Sequence, residues 1–202
     1  MKKILFIVAI MVMATTASFA QFGGRIGLDL ANFTGDWKDG YKTSAGLHLG
    51  LVYNFELADA ISLQPGAFYV QRNYKDNGDN KIHSHYIEVP IVAKYNLEVA
   101  DGITIDPHAG PYFAFGFAGK NKDTDQKVFK KRSKNGMGVS NFDMGIQVGA
   151  GATFSDVIYV GLDYEFGFRD NADYFNPLVD PNKKVHARNG MFMITCGVWL
   201  PE

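Results

Sequence analysis

The chain has 202 residues, with 20 lysines and arginines against 21 aspartates and glutamates, a formal net charge of −1, and 47% hydrophobic residues. That charge balance excludes a nucleic-acid binder, and the single cysteine, Cys196, excludes an intrachain disulfide framework or a cysteine-rich metal site. Beyond residue 20 no apolar run approaches the roughly 18 residues of a membrane-spanning helix.

The start of the chain reads as a targeting segment. Lys2 and Lys3 precede an apolar run from Ile4 to Met13, about ten residues long and too short to span a bilayer. Ser18-Phe19-Ala20 then offers small residues where a signal peptidase reads. The expectation is a signal peptide over 1–20 cleaved after Ala20, leaving one domain over 21–202. Its 182 residues would carry 18 basic and 21 acidic side chains. The junction has no cysteine for a lipid anchor.

From there the hydrophobic period is two, the signature of strands. Eight segments follow in order: 23–31, 44–56, 60–72, 84–98, 102–118, 140–154, 157–169 and 189–200. In the second, Ala45, Leu47, Leu49, Leu51, Tyr53 and Phe55 alternate with Gly46, His48, Gly50, Val52, Asn54 and Glu56. The fifth sets Ile103, Ile105, Pro107, Ala109, Pro111, Phe113, Phe115 and Phe117 against a face carrying Asp106, His108 and Tyr112. In the seventh, Ile158, Val160, Leu162, Tyr164, Phe166 and Phe168 oppose Tyr159, Gly161, Asp163, Glu165, Gly167 and Arg169. Successive strand residues point to opposite faces, so each segment has one apolar and one polar or glycine-rich side.

The connections alternate in length. Those at 32–43, 73–83, 119–139 and 170–188 are long and polar; the others have two to four residues. Two short ones repeat a pattern, Glu56-Leu57-Ala58-Asp59-Ala60-Ile61-Ser62 and Glu98-Val99-Ala100-Asp101-Gly102-Ile103-Thr104, and Ser155-Asp156-Val157-Ile158 is a trimmed version. Short turns at one end and long loops at the other are the plan of outer-membrane barrels. The fold expected is therefore all-β: an eight-stranded antiparallel up-and-down transmembrane β-barrel, with four long extracellular loops and short periplasmic turns. A soluble barrel or sandwich would show the same alternation with its faces exchanged. Long apolar faces of six to eight positions and aromatics at strand ends (Tyr53, Phe55, Tyr95, Phe115, Phe117, Phe154, Phe166, Phe168) favour the membrane. Pro65, Pro90, Pro107 and Pro111 oppose it, since proline withholds a ladder hydrogen bond; they predict bulges or local opening.

With the apolar face outward, the polar face lines a lumen. Its candidates are Arg25, Asp29, His48, Glu56, Gln64, Arg72, Glu88, Lys94, Asp106, His108, Tyr112, Asp143, Gln147, Asp163, Glu165 and Arg169. An eight-stranded barrel has room only for side chains, so the expectation is a structural network of ion pairs and a plugged lumen, with a narrow pore as the alternative. His83, Ser84 and His85, near Asp79, offer a weak nucleophile-and-base pattern. Neighbours on a strand face opposite ways, so no enzyme is expected. No cofactor or metal is expected either; His83-x-His85 is the one short histidine spacing. Lys120, Lys122, Lys127, Lys130, Lys131, Arg132 and Lys134 crowd the third long loop, suited to lipopolysaccharide phosphates or an acidic envelope partner, or simply to water. Cys196 falls on the apolar face with Phe192, Ile194, Val198 and Leu200.

The run Tyr86-Ile87-Glu88-Val89-Pro90-Ile91-Val92-Ala93-Lys94-Tyr95 resembles a signature of the PorT-like, porin-family outer-membrane β-barrel proteins found in Bacteroidetes. Gly110-Pro111-Tyr112 and the glycine-rich alternation over 145–167 are similar to that family too. The resemblance implies an eight-stranded outer-membrane barrel of the OmpA/OmpX general type in a Gram-negative envelope. It supplies no catalytic residues. Some members serve a secretion system, a role no residue here singles out. Such barrels usually end in an aromatic residue, whereas this chain ends Trp199-Leu200-Pro201-Glu202.

Overall fold

The computed structural model describes residues 20–35, 41–76, 81–130, 139–169 and 187–200. The segment 1–19 lies outside the described residues, and the signal-peptide expectation with it. Nine strands follow in order: β1 Ala20–Gly35, β2 Tyr41–Ala58, β3 Ile61–Asp76, β4 Lys81–Tyr95, β5 Leu97–Ala100, β6 Ile103–Asn121, β7 Phe142–Phe154, β8 Ile158–Gly167 and β9 Ala187–Trp199. β4 and β5 are two parts of one barrel strand, interrupted at Asn96. Every neighbouring pair is antiparallel, and β1 pairs with β9 to close the sheet. The result is a closed eight-stranded meander with no free edge.

Closure carries a stagger. One row of paired residues runs Phe55, Leu63, Ala93, Ala109, Val148, Tyr164, Phe192, Leu30 and back to β2 at Ala45, ten residues from its start. With eight strands, that shear tilts them by roughly 40° to the axis.

The two faces are inverted relative to a soluble barrel. Leu28, Leu49, Ile87, Phe115, Leu162, Phe166 and Ile194 are exposed, while Arg25, Asp29, Arg72, Glu88, Asp143 and Glu165 are buried. Water would penalise such an apolar exterior, but a bilayer solvates it, and a closed ladder pairs within the sheet the backbone groups that lipid cannot satisfy. Aromatic contacts mark both ends of this belt. Phe22 meets Tyr53 at 4.4 Å and Tyr53 meets Phe55 at 4.4 Å near the short turns; Phe115 meets Phe142 at 5.0 Å toward the long connections.

The prolines produce no bulges of their own. Pro65 opposes Ile91 and Pro90 opposes Tyr112, and the ladder skips positions beside them without changing register. The register shifts lie elsewhere, between Ser44 and His48 and between His85 and Tyr86. Pro107 stays paired with Ala150 on its β7 side. On its other side the ladder breaks at Asn96, between the pairs Lys94–His108 and Leu97–Ile105. Asn96 turns its backbone N–H to Ala60 at 2.7 Å and its side-chain amide to Ser62 at 3.0 Å.

The repeated turn sequence gives a repeated geometry. The register slips between Glu56 and Ala58, and again between Glu98 and Ala100, so Leu57 and Val99 are the extra residues of two matching bulges. The trimmed version is a tight turn in which Ser155 (φ 49°) and Asp156 (φ 57°) are both left-handed; Val157 N–H closes it on Phe154 O at 3.1 Å.

Most of the strands outrun the apolar alternation at the long-connection end. β2 and β3 pair as far as Tyr41–Asp76 and β4 begins at Lys81, so the first two long connections are shorter than 32–43 and 73–83. Ladder bonds need no apolar side chain, and above the lipid belt the pairing continues through polar residues such as Lys42 and Lys75. The third connection also differs from a simple loop. Asn121 Oδ1 accepts the N–H groups of Asp123 and Thr124 at 3.0 and 3.2 Å. The chain then doubles back so that Val128 N–H bonds Gly119 O at 3.0 Å.

Filled lumen and extracellular rim as candidate functional sites

Arg72 stands in the long-connection half of β3 on the inward parity and is 1% exposed. Its Nη2 donates to Glu88 at 2.6 Å and Glu165 at 3.0 Å, and its Nη1 to Asp143 at 2.7 Å. These carboxylates come from β4, β8 and β7, so one guanidinium reaches across the barrel. Tyr112 OH donates to Asp143 at 3.3 Å, Asn189 Nδ2 to the same oxygen at 2.8 Å, and Tyr74 OH to Asn189 at 3.3 Å. The fork geometry of arginine suits such multiple acceptors.

Nearer the short turns lies a second layer. His108 bonds Asp163 through Nε2 at 2.6 Å and Asp106 through Nδ1 at 3.1 Å. Gln147 donates to Asp163 at 2.8 Å, and Lys94 pairs with Asp106 at 3.2 Å and with Gln64 at 3.3 Å. Arg25 places its guanidinium 3.9 Å from the ring centre of Tyr159 and 4.1 Å from that of Trp199, a cation–π sandwich. Trp199 therefore points inward, where its Nε1 donates to Thr153 at 3.3 Å. Gly151 and Gly161 make room for the Tyr159 ring: a Cβ at either would lie 2.4 or 2.6 Å from its atoms.

A third set joins β1, β2 and β9. Asp29 accepts from His48 Nδ1 at 2.5 Å, and His48 Nε2 meets Thr195 Oγ1 at 3.2 Å. The order acid–imidazole–hydroxyl is that of a nucleophile relay. Thr195, however, faces a small lumen cavity of about 40 Å³ shared with His48, His108 and Gln64. That space holds roughly two or three waters and no organic substrate.

Above the Arg72 layer the lumen turns apolar. Phe33 stacks on Tyr74 at 4.4 Å, and Val128, Met191, Ile82 and Ala114 are buried with them. Phe129 meets Tyr86 edge-on at 5.5 Å and occupies the space left by Gly116, where a Cβ would lie 2.3 Å from its ring. The third connection thus folds two apolar residues into the barrel mouth.

Of the polar-face candidates, two are not in the lumen. Arg169 lies beyond the end of β8 at Gly167, is exposed, and sits 5.7 Å over the Phe142 ring; its parity matches Asp163 and Glu165, but the strand stops first. Glu56 is still within β2 and paired with Ser62, but it lies at the short-turn mouth and is exposed there. The reading based on charge missed Asn189, Thr195, Met191, Met193 and Trp199, all buried on the inward parity of β9. That parity was available from the outward run Phe192 to Leu200. Ser84 points inward and buried, away from half-buried His83 and His85 on the other face. Among the described residues no group of three or more His, Cys, Asp or Glu is placed to hold a metal.

At the rim lies a cleft of about 820 Å³, bordered by the outward residues His83, His85 and Phe117, by Lys120, Lys122, Asp125, Lys127 and Lys130, and by Phe129 at the barrel mouth. Lys120 pairs with Asp125. Lys131, Arg132 and Lys134 lie outside the described residues. Tyr69 OH bonds His85 Nδ1 at 2.6 Å, and Phe117 lies 6.4 Å from the Tyr69 ring.

An apolar exterior, an ionic interior and a closed ladder define a bacterial outer-membrane β-barrel protein. The family model for the outer membrane protein beta-barrel domain matches residues 14–173, and the chain belongs to that family, placing it in the outer membrane of a Gram-negative cell. Among curated protein sequences none matches it significantly. Solved structures similar to it include Ail, the attachment invasion locus protein of Yersinia pestis, in complex with a heparin analogue (14% identity, 90% of this chain and 99% of that one, TM-score 0.46). Others are E. coli outer membrane protein W (14%, 90% and 98%, 0.47) and the outer membrane enzyme PagL (15%, 88% and 99%, 0.46).

Proposed function

We propose that this protein is a non-enzymatic structural and interaction barrel, its lumen closed and its working surface at the extracellular rim. The observation that carries this reading is the Arg72 cluster, which crosses the lumen between two further filled layers. Buried charges so paired act first as cross-links, since removing one partner strands the others. Two features argue against hydrolysis: the Asp29–His48–Thr195 set opens only on the 40 Å³ cavity, and Ser84 faces away from His83 and His85. The partners that fit are outer-leaflet lipid and lipopolysaccharide at the basic rim, with an envelope protein as a further option. The Tyr86-to-Tyr95 run supports the narrower PorT-like assignment, and the Lys2-to-Ala20 pattern supports export with cleavage after Ala20.

One observation favours a narrow pore instead. A vestibule of about 250 Å³ at the short-turn mouth is lined by Glu56, Asp59, Glu98, Asp106 and Asp156 against Lys94, an acidic entrance of the kind cation pores use. Single-channel recording of refolded protein in planar bilayers decides between the two. The closed-lumen reading expects a silent membrane; reproducible unitary openings that vanish on heat denaturation would replace it with transport.

A further inference from the structure

The rim cleft has a chemistry that the filled lumen leaves unused. Its basic wall is built, not merely crowded. The turn at Asn121 holds the returning strand, Lys122 N–H bonds Lys81 O at 2.9 Å, and Lys81 N–H bonds Asp123 Oδ2 at 2.9 Å, so the hairpin is tied to β4. This sets Lys122, Lys127 and Lys130 around one cleft with Lys120. Of these four only Lys120 has a carboxylate within ion-pair distance among the described residues. Four lysines against the one carboxylate that lines the cleft, Asp125, leave an excess of positive charge that favours an anion.

The floor of the cleft is of a different kind. Phe117 is 60% exposed and heads an outward column with Phe115 and Ile87. Tyr69 lies beside it with its hydroxyl on His85, the posture of a ring at the boundary between lipid tails and head groups. The cleft therefore opens where an apolar wall meets a cationic rim.

We infer that this cleft binds the phosphorylated head of an outer-leaflet glycolipid, with Lys122, Lys127 and Lys130 on its phosphates and its acyl chains along Phe117 and Phe115. This rests on the interaction reading above and names its ligand. A soluble anion would use the lysines and gain nothing from Phe117. An uncharged lipid would use Phe117 and gain nothing from the lysines. Basic pockets beside a membrane surface hold anionic head groups by this combination.

The test uses full-length refolded protein in detergent, with bisphosphorylated lipid A, its enzymatically dephosphorylated form, inorganic phosphate and a soluble polysulfate as probes. Bound lipid is counted by native mass spectrometry. The parent is expected to retain bisphosphorylated lipid A at least tenfold better than the dephosphorylated lipid. The variant K122Q/K127Q/K130Q, which leaves the Lys120–Asp125 pair intact, is expected to lose that preference. Phe117→Ser is expected to weaken lipid A without changing any response to inorganic phosphate. Equal retention of both lipids, or unaltered lipid preference in a triple variant whose circular-dichroism spectrum matches the folded parent, would overturn the inference. So would polysulfate competing fully with lipid A in both parent and Phe117→Ser, which would mark a site for soluble polyanions. Channel recording on the same samples keeps the readings apart: openings defeat the closed-lumen function whatever the lipid result, and silence with no lipid preference defeats the lipid site alone.

Discussion

Arg72 Nη2 donates to Glu88 Oε2 at 2.6 Å, and the same nitrogen serves Glu165 at 3.0 Å from the far side of the barrel. Neighbouring strands and opposite strands thus share one cation. Replacing Arg72 by Met leaves three buried carboxylates without their shared cation, and a broken buried pair costs about 3–5 kcal/mol. The expected outcome is a clear fall in the temperature at which the compact band on unboiled SDS gels converts to the unfolded band. Arg72→Lys, which keeps the charge and loses the fork, should fall between. A Met variant as heat-resistant as the parent would show that the network does not hold the barrel together.

Thr195 supplies the partner of His48 Nε2. Thr195→Val removes it at nearly constant volume and leaves a buried ring nitrogen unsatisfied, costing about 1–3 kcal/mol. The urea midpoint of refolded protein should drop accordingly. If the residue were instead a nucleophile, the variant would lose a measurable esterase activity while keeping its midpoint.

Gly151 leaves space that the Tyr159 ring occupies. Gly151→Val forces its side chain into that ring, an overpacking penalty of about 1–3 kcal/mol. Combining it with Tyr159→Ala should cost less than the sum of the two single changes, because the ring that Val meets is gone. Strict additivity of the unfolding midpoints would contradict the contact.

Ser155 and Asp156 are both left-handed, a conformation that Asn-Gly adopts with less strain. The double substitution S155N/D156G should raise stability by about 0.5–1 kcal/mol and should leave lipid binding at the opposite end unchanged. A drop in the urea midpoint would mean that the two native side chains do more than form the turn.

Two seals stand in series between the rim and the cavity: Phe129 with Val128, then the Arg72 cluster. Phe129→Ala opens only the first, so planar-bilayer recordings should stay silent. Unitary currents from that variant alone would show that the apolar plug is the sole barrier.

Much of this was legible along the chain. The strict alternation of 158–169 put Asp163 and Glu165 on one face and Leu162 and Phe166 on the other, and the structure separates them in that way. The repeated Glu-x-Ala-Asp segments likewise marked one hairpin device used twice, and the structure gives both the same bulge. Less legible were the limits of each run. Arg169 has the parity of Glu165 and lies outside because β8 ends at Gly167, and alternation of side chains does not say where ladder bonding stops. The third connection showed its lysines in sequence but hid its plug. Val128 and Phe129 point inward because a backbone turn at Asn121 reverses the chain, and that turn is set by hydrogen bonds rather than by hydropathy.

The sequence by itself determined the number of strands, the alternation of short and long connections, and which side chains share a face. These follow from the two-residue period of an extended backbone, a property each segment has alone. Only the tertiary structure decided which face is enclosed and which residues meet within it. Asp29 and Thr195 both bond His48, and Arg72 reaches Glu165 from 93 positions away. Those meetings depend on a ten-residue stagger accumulated around a closed ring, a quantity that belongs to all eight strands together and to no one of them.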